Sequence, residues 1–430
     1  MNINEYIEKN LVHSIHVSER RSFRGCRRRW AWIFRDMWYP TTTAKPLEFG
    51  IAYHKACEYW YDPDFWGNDR EIRKIETLQV FKVECYKQSA AYKQGVRDGK
   101  IQQFEEDEVI ERDYKERIEL GQGMLREMFK QSAELDHETY TPVGVEVKFE
   151  VPIADEDGKT IWCKCERCWK KWRSYCLSLP DGEDGKLHPW KIALDDPSKR
   201  AIWSGLPVTF GGRIDMLAQD IYGRYWIFDW KTAARLSTGD PGSPDDFLWF
   251  DDQITSYCWA LWTLGIGVAG FVYHEQKKAM AEEPEPLKRP YKGAMYSQNK
   301  QNTYDYEVYK KTVEENDPAG YLAGIYDEYL AYLKENSNGF YKRHTIHRNE
   351  HELQAAGIQI AWEAEEITNP ALRLYKSSGR FSCGNCAFKE PCLAKDRGED
   401  YLYTLESLFE KREKLYYETA ESNTDKPQKG

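Results

Sequence analysis

No stretch of the 430-residue sequence approaches the roughly 20 consecutive apolar residues that a bilayer-spanning helix needs. The opening residues, MNINEYIEKN, also lack the apolar run of a secretory signal. A soluble intracellular protein without membrane partners is therefore expected. There is no GxxxxGK[ST] loop to cradle a nucleotide triphosphate, which argues against an ATP-driven motor in this chain. No internal repeat is present, which excludes a solenoid. Nor is there an excess of positive charge. The net charge of -10 argues against a protein that coats nucleic acid by bulk electrostatics, though it is compatible with a local basic groove.

What is present is an apolar fraction of 41% and an aromatic fraction of 14%, enough for a sizeable core. Charge of one sign is concentrated in ERRSFRGCRRRWAW, where Arg20, Arg21, Arg24, Arg27, Arg28 and Arg29 fall within ten residues. Such a run reads either as a solvated helix face or, with Phe23, Trp30 and Trp32 interleaved, as a surface for phosphates and bases.

The pattern divides the chain into four stretches. Residues 1–140 form a mainly helical N-terminal part, with a long charged helix or helix pair from about Asp69 to Glu134. Residues 141–275 read as a core of strands, interrupted at 154–204 by a loop-rich, Cys-rich insertion. Within the core, VGVEVKFEVPI alternates with period two, and LPVTFGGRIDMLAQ, a turn at DIYGR and YWIFDWKTA make a hairpin. A helix is expected from about Asp246, then a strand at VAGFVYHEQK. Residues 276–395 read as a loop followed by a charged helical C-terminal part, and 396–430 as a helix and a polar, disordered tail.

The hairpin carries chemistry. Asp215 lies on its first strand, and Asp229 and Lys231 share one face of the second, since side chains two apart on a strand point the same way. Hydrolysis of a phosphodiester needs hard carboxylate ligands for Mg²⁺ or Mn²⁺, and a cation to orient the water and offset developing charge. Taken alone, the Asp-x-Lys triplet is as well read as an ion pair ending a strand.

GGRIDML followed by YWIFDWKTA resembles the Gly-x-x-Asp and (Asp/Glu)-x-Lys core of PD-(D/E)XK nucleases, and more closely the RecB-type nuclease domain. Gly50 and His54 match the upstream Gly-x-x-x-His of that branch, and Gln253 and Tyr257 its downstream Gln-x-x-x-Tyr. The order agrees across residues 20–395. The resemblance implies an α/β, restriction-endonuclease-like core: a central mixed sheet flanked by helices. It implies that His54, Asp215, Asp229 and a backbone carbonyl near Trp230 hold the catalytic metal. Lys231 would position the water, and Gln253 and Tyr257 would orient the lysine or contact phosphate. Glu146, on the preceding strand, reads either as a further member of the site or as an outward-facing carboxylate.

Eleven cysteines in such a chain do not suggest a disulfide framework. Cys57, Cys85 and Cys258 stand alone in helical context, as small buried hydrophobes do. Cys383, Cys386 and Cys392 have the C-x2-C-x5-C spacing that brings thiolates to one centre, and Cys26 in the arginine run is a candidate fourth ligand. AddB-type nucleases and CRISPR-adaptation exonucleases pair one N-terminal cysteine with three C-terminal ones. That resemblance implies a [4Fe–4S] cluster on Cys26, Cys383, Cys386 and Cys392, with a four-thiolate zinc ion as the alternative. The remaining set, Cys163, Cys165, Cys168 and Cys176, reads as a zinc site made of all four thiols or of three with His188. Trp169, Lys170, Lys171, Trp172, Arg173 and Tyr175 among them suit either DNA contact or packing around the metal.

The expected function is a Mg²⁺- or Mn²⁺-dependent deoxyribonuclease, an exonuclease acting on single strands or DNA ends in the cytoplasm of a bacterial or phage-infected cell. The alternatives are a structure-specific endonuclease of recombination or repair, and a DNA-binding subunit that does not cut. Unwinding would come from a helicase or recombination partner, and relatives that form rings extend the expectation to a homo-oligomer.

Overall fold

The computed structural model describes residues 1–41, 45–98, 106–179, 203–234, 236, 248–302, 304–335 and 340–412. The expected helix start near Asp246, His188 and the polar tail beyond residue 412 lie outside them.

Seven strands form one mixed sheet: β1 (His13–Ile15), β2 (Tyr140–Pro152), β3 (Trp162–Cys163), β4 (Leu206–Asp220), β5 (Tyr225–Ala233), β6 (Val268–Lys277) and β7 (Tyr341–Ile346). The order along the main path is β1-β4-β5-β6-β7, and β2 and β3 also pair with β4. The β1–β4 and β5–β6 pairs are parallel, and the other pairs antiparallel. The β4–β5 hairpin matches the sequence expectation. Its turn is closed by Asp220, which accepts from the backbone N–H of Tyr222 and Arg224 at 2.9 and 3.0 Å, while Gly223 takes the left-handed conformation.

Helices cover both faces. They are α1 (Val17–Gly25), α2 (Lys45–Trp60), α3 (Arg70–Arg97), α4 (Asp107–Met128), α5 (Glu166–Ser178), α6 (Asp252–Thr263), α7 (Glu350–Thr368) and α8 (Lys389–Arg397). On one face, Met216, Phe228, Trp230 and Val272 of the sheet bury against Phe49, Tyr53 and Trp60 of α2, Phe81 of α3 and Met128 of α4. On the other, Val151, Phe210, Ile214, Ile227 and Phe271 bury against Ile254 and Trp259 of α6 and Ile360 of α7. Among the described residues no helix is long and apolar enough to cross a membrane.

Two local readings are corrected, and the loop-rich insertion also holds β3 and α5. The stretch 276–300 contains a small hairpin, Pro286–Tyr291 against Ala294–Tyr296, and the helical stretch beyond it is broken by β7, which joins the main sheet. The alternation in β2 does not serve a single face either. Val145 packs with the α2 side and Val147 with the α6 side, and in β4 Ile214 and Met216 part in the same way. Both strands switch faces at one level, where Glu146 adopts a left-handed backbone (φ 51°) opposite Asp215. A left-handed backbone is uncommon for a residue with a side chain and tends to mark functional sites.

Candidate active site and thiolate sites

Asp215 and Asp229 lie where the hairpin opens. The pairing of β4 with β5 ends at Met216 opposite Phe228, so the next residues on each strand are the two aspartates. Asp215 bridges the gap, and its Oδ2 accepts the backbone N–H of Trp230 at 2.9 Å. Trp230 itself is anchored on the opposite face, stacked on Tyr61 with ring centroids 5.2 Å apart.

From α2, His54 brings Nδ1 to 3.3 Å from the same Asp215 oxygen. Gly50 lies one turn earlier, where a Cβ would stand an ordinary 3.9 Å from Thr232 Oγ1, so the packing there does not require a glycine. The face switch at Glu146 turns that carboxylate inward, and one ligand atom each from His54, Glu146 and Asp215 lies within 4.8 Å of the others. Glu146 is therefore a member of the site and not an outward-facing strand residue. Arg213 steadies it with an ion pair at 2.8 Å, a partner that the sequence reading missed. Glu58, one turn along α2 from His54, has its pKa raised by burial, with Lys55 opposing the rise and Glu146 adding to it.

Asp229 is 3% exposed and belongs to a second, adjoining group. Lys231 Nζ reaches its two oxygens at 2.8 and 2.7 Å, and Gln253 Nε2 donates to Oδ1 at 2.8 Å. Gln253 is placed there by the start of α6, where Asp251 caps the backbone N–H groups of Gln253 and Ile254. One turn on, Tyr257 packs edge-on against Phe149 of β2, with centroids 5.1 Å apart. The glycine of the Gly-x-x-Asp motif makes this possible. A Cβ on Gly212 would stand 2.4 Å from the Phe149 ring and 3.1 Å from Tyr257. Burial raises the pKa of the Tyr257 hydroxyl, which meets the Arg213 backbone and lies close enough to Asp229, Lys231 and Asp215 to feel their charges.

The electrostatics follow from burying several charges together. Burial pushes the Asp229 carboxyl up to about 6, with Lys231 opposing the rise and Asp215 adding to it. Burial would raise Asp215 too, but His54 and Lys231 outweigh it and hold Asp215 below its ordinary value. His54 and Lys231 are both disfavoured as cations by burial, yet the carboxylates beside them raise both. Carboxylates and cations alternate closely here, and His54, Glu146 and Asp215 stand near enough together to hold a metal ion.

The arginine run is only in part a solvated helix face: Arg21 and Arg24 are exposed, but most of the run is paired. Arg20 is 1% exposed, paired with Glu363 of α7 at 2.6 Å and with Asp252 of α6 at 3.1 Å. Arg21 pairs with Asp251, Arg24 with Asp252, Arg27 with Glu366 and Arg28 with Asp396. Five of the six arginines are engaged in tying α1 and its continuation to α6, α7 and α8. Phe23, Trp30 and Trp32 are buried, not presented for stacking.

Cys26, Cys383, Cys386 and Cys392 come together around one cavity of about 470 Å³, also lined by Arg28, Arg29 and Lys376. The sulfurs face N–H donors. Arg28 reaches Cys392 at 3.2 Å, and the backbone N–H groups of Ser377 and Gly379 reach Cys26 and Cys383 at 3.5 Å each. The Phe388 N–H opposes the rise that burial imposes on Cys386. Four thiols ringed by donors and cations, spaced around a void, fit an anionic polynuclear group better than a single ion, which would draw its ligands to one point.

The other cysteine set is rearranged relative to expectation. Cys163, Cys165 and Cys168 gather as anticipated, but their fourth neighbour is His13 of β1, and the four ligand atoms lie within 4.8 Å of one another. This group can hold a metal ion. Cys176 is excluded by geometry. It lies eight residues beyond Cys168 on α5, roughly 12 Å along a helix that rises 1.5 Å per residue.

Neither a scan against protein-family models nor a search of curated proteins finds a match to this chain.

Proposed function

We propose that this protein is a metal-dependent DNA nuclease of the PD-(D/E)XK, RecB-like class, an exonuclease that works from single strands or DNA ends. The observation that carries the reading is the convergence of His54, Glu146 and Asp215, from three elements far apart in sequence, beside a buried Asp229–Lys231 pair. A plain ion pair ending a strand needs none of the other three.

His54, Asp215, Asp229 and the Trp230 carbonyl would hold Mg²⁺ or Mn²⁺, with Glu146 close enough to contribute directly or through water. The bound ion would polarise the phosphoryl oxygen and acidify the attacking water. Lys231, already oriented by Asp229, presents a cation to that water and to the charge that builds on phosphorus. Gln253 keeps the Asp229 carboxylate turned toward the lysine, and the apolar run Tyr225–Phe228 holds both in place. Cys26, Cys383, Cys386 and Cys392 would carry a [4Fe–4S] cluster that ties the N-terminal segment to the C-terminal one.

The test is a cleavage assay on linear single-stranded, linear duplex and covalently closed circular DNA with Mg²⁺ or Mn²⁺, comparing wild type with Asp229→Ala and Lys231→Ala. The expected result is degradation of linear substrates by wild type alone and survival of the circle. Unchanged cleavage by both variants would overturn the site. Iron and labile sulfide measured after anaerobic purification should give four of each per chain, and Cys26→Ser should lose both.

A further inference from the structure

We infer that His13, Cys163, Cys165 and Cys168 form a tetrahedral zinc site that locks the edge strand β1 onto the base of the insertion, independently of whether the chain cuts DNA. His13 Nδ1 lies 3.2 Å from Cys168 Sγ and 3.9 Å from Cys165 Sγ, and the two sulfurs are 3.4 Å apart. Two ligands each about 2.3 Å from one tetrahedral ion stand about 3.8 Å apart, so this spacing is that of a single ion. It is too wide for a disulfide, whose sulfurs are about 2.0 Å apart, and all three cysteines are free thiols.

The surroundings suit the charge of the site. Three thiolates and a neutral imidazole leave one net negative charge around Zn²⁺. The Arg167 guanidinium, 3.4 and 3.5 Å from the two ring nitrogens of His13, lies where it offsets that charge. His13, Cys163 and Cys168 are buried, as a closed structural site requires. Soft thiolates with one imidazole select zinc over the hard cations of the carboxylate site.

The backbone is built around the same point. Cys163 pairs with Leu206 at the start of β4. Gly205, just before it, has φ 103° and lies so close that a Cβ would stand 2.7 Å from the Cys163 carbonyl oxygen. Cys165 caps α5 by accepting the Cys168 N–H. β1 pairs over three residues, His13 to Ile15 against Val208 to Phe210, with Leu11, Ile15 and Val17 buried in the core beside it. A metal at His13 adds a second anchor at this edge, and residues 13–26 then run from this site through the buried Arg20 to Cys26 of the other.

Zinc and iron are counted per chain in protein purified anaerobically, for wild type, His13→Ala, His13→Cys, Cys165→Ser and Cys176→Ser. The expected result is one zinc in wild type, His13→Cys and Cys176→Ser, and an at least fivefold loss in His13→Ala and Cys165→Ser with iron retained. If His13→Ala or Cys165→Ser fails to fold, metal-stripped Cys383→Ser/Cys386→Ser protein, which lacks the other thiolate set, should still show the intense visible bands of tetrahedral thiolate-bound Co²⁺, and their absence would overturn the assignment. Wild type without zinc, zinc unchanged in His13→Ala, or zinc lost in Cys176→Ser would each overturn the assignment. Because the readout is metal content, its outcome is separate from that of the cleavage assay.

Discussion

Asp215 Oδ2 takes the backbone N–H of Trp230 at 2.9 Å while lying 3.3 Å from His54 Nδ1, so one carboxylate oxygen joins a helix, a strand and the mouth of the hairpin. The carboxylate has a structural partner as well as a chemical role, and substitutions can separate the two. Asp215→Asn keeps an oxygen for the Trp230 N–H but loses the charge. It should lower cleavage by roughly 10²- to 10³-fold, with the melting temperature moving by only a few degrees, about the scale of a 1 kcal/mol change. Turnover and circular-dichroism melts on the same preparation check both halves of this expectation.

Gln253 touches only Asp229 in the site, so it acts by positioning. Gln253→Leu should cost on the order of tenfold in turnover, the low end for loss of one orienting hydrogen bond, and leave the Mg²⁺ concentration for half-maximal rate little changed. Gln253→Glu places a second carboxylate against a buried one and should cost more. Steady-state rates across a Mg²⁺ titration distinguish the two.

Arg20 and Arg21 are neighbours in sequence with opposite energetic weight. Arg20→Leu removes the buried cation between Glu363 and Asp252, leaving them only the half-exposed Arg24, and costs about 3 kcal/mol. Arg21→Ala breaks a pair that water already screens and costs less than about 1 kcal/mol. Urea unfolding midpoints measure the contrast. Equal effects would show that the run is a solvated surface after all.

His137 lies flat on Trp66, ring centroids 3.8 Å apart, and its Nε2 accepts from the buried Arg73. Burial, reinforced by the Arg73 charge, lowers its pKa from 6.5 to about 4. The folded state therefore binds this proton less readily than the unfolded chain. The stability that the neutral ring contributes is complete above about pH 6.5 and is lost as the pH falls from 6.5 toward 4. His137→Gln should flatten the decline of the melting temperature between pH 7 and 5 relative to wild type.

The β4–β5 hairpin and its three charged residues were legible because period-two patterning and a short turn are local properties of 28 residues. His54 and Gln253 were placed through the resemblance to RecB-type motifs. The role of His13 could not be. Its thiolate partners lie about 150 residues away, and nothing near it in sequence distinguishes a ligand from a core histidine. Glu146 was ambiguous for a different reason. Strand alternation assigns it a face, and only the left-handed backbone that breaks the alternation turns it into the site. The ion pairs of the arginine run were not legible because a sequence displays charges without their partners. Asp251, Asp252, Glu363, Glu366 and Asp396 are dispersed over the second half of the chain. Cys176 was assigned by counting thiols, where the helical rise between it and Cys168 decides against it.

The partners of the N-terminal segment set an order of events during synthesis. His13 waits for Cys168, 155 residues on, Arg20 for Glu363, 343 residues on, and Arg28 for Asp396, 368 residues on. At roughly 5–20 residues per second, Arg28 waits roughly 20 to 70 s for Asp396, whereas β1 can meet Val208–Phe210 after about half that time. The arginine ties of α1 to α7 and α8 are therefore among the last contacts to form, after the edge strand already has its partner.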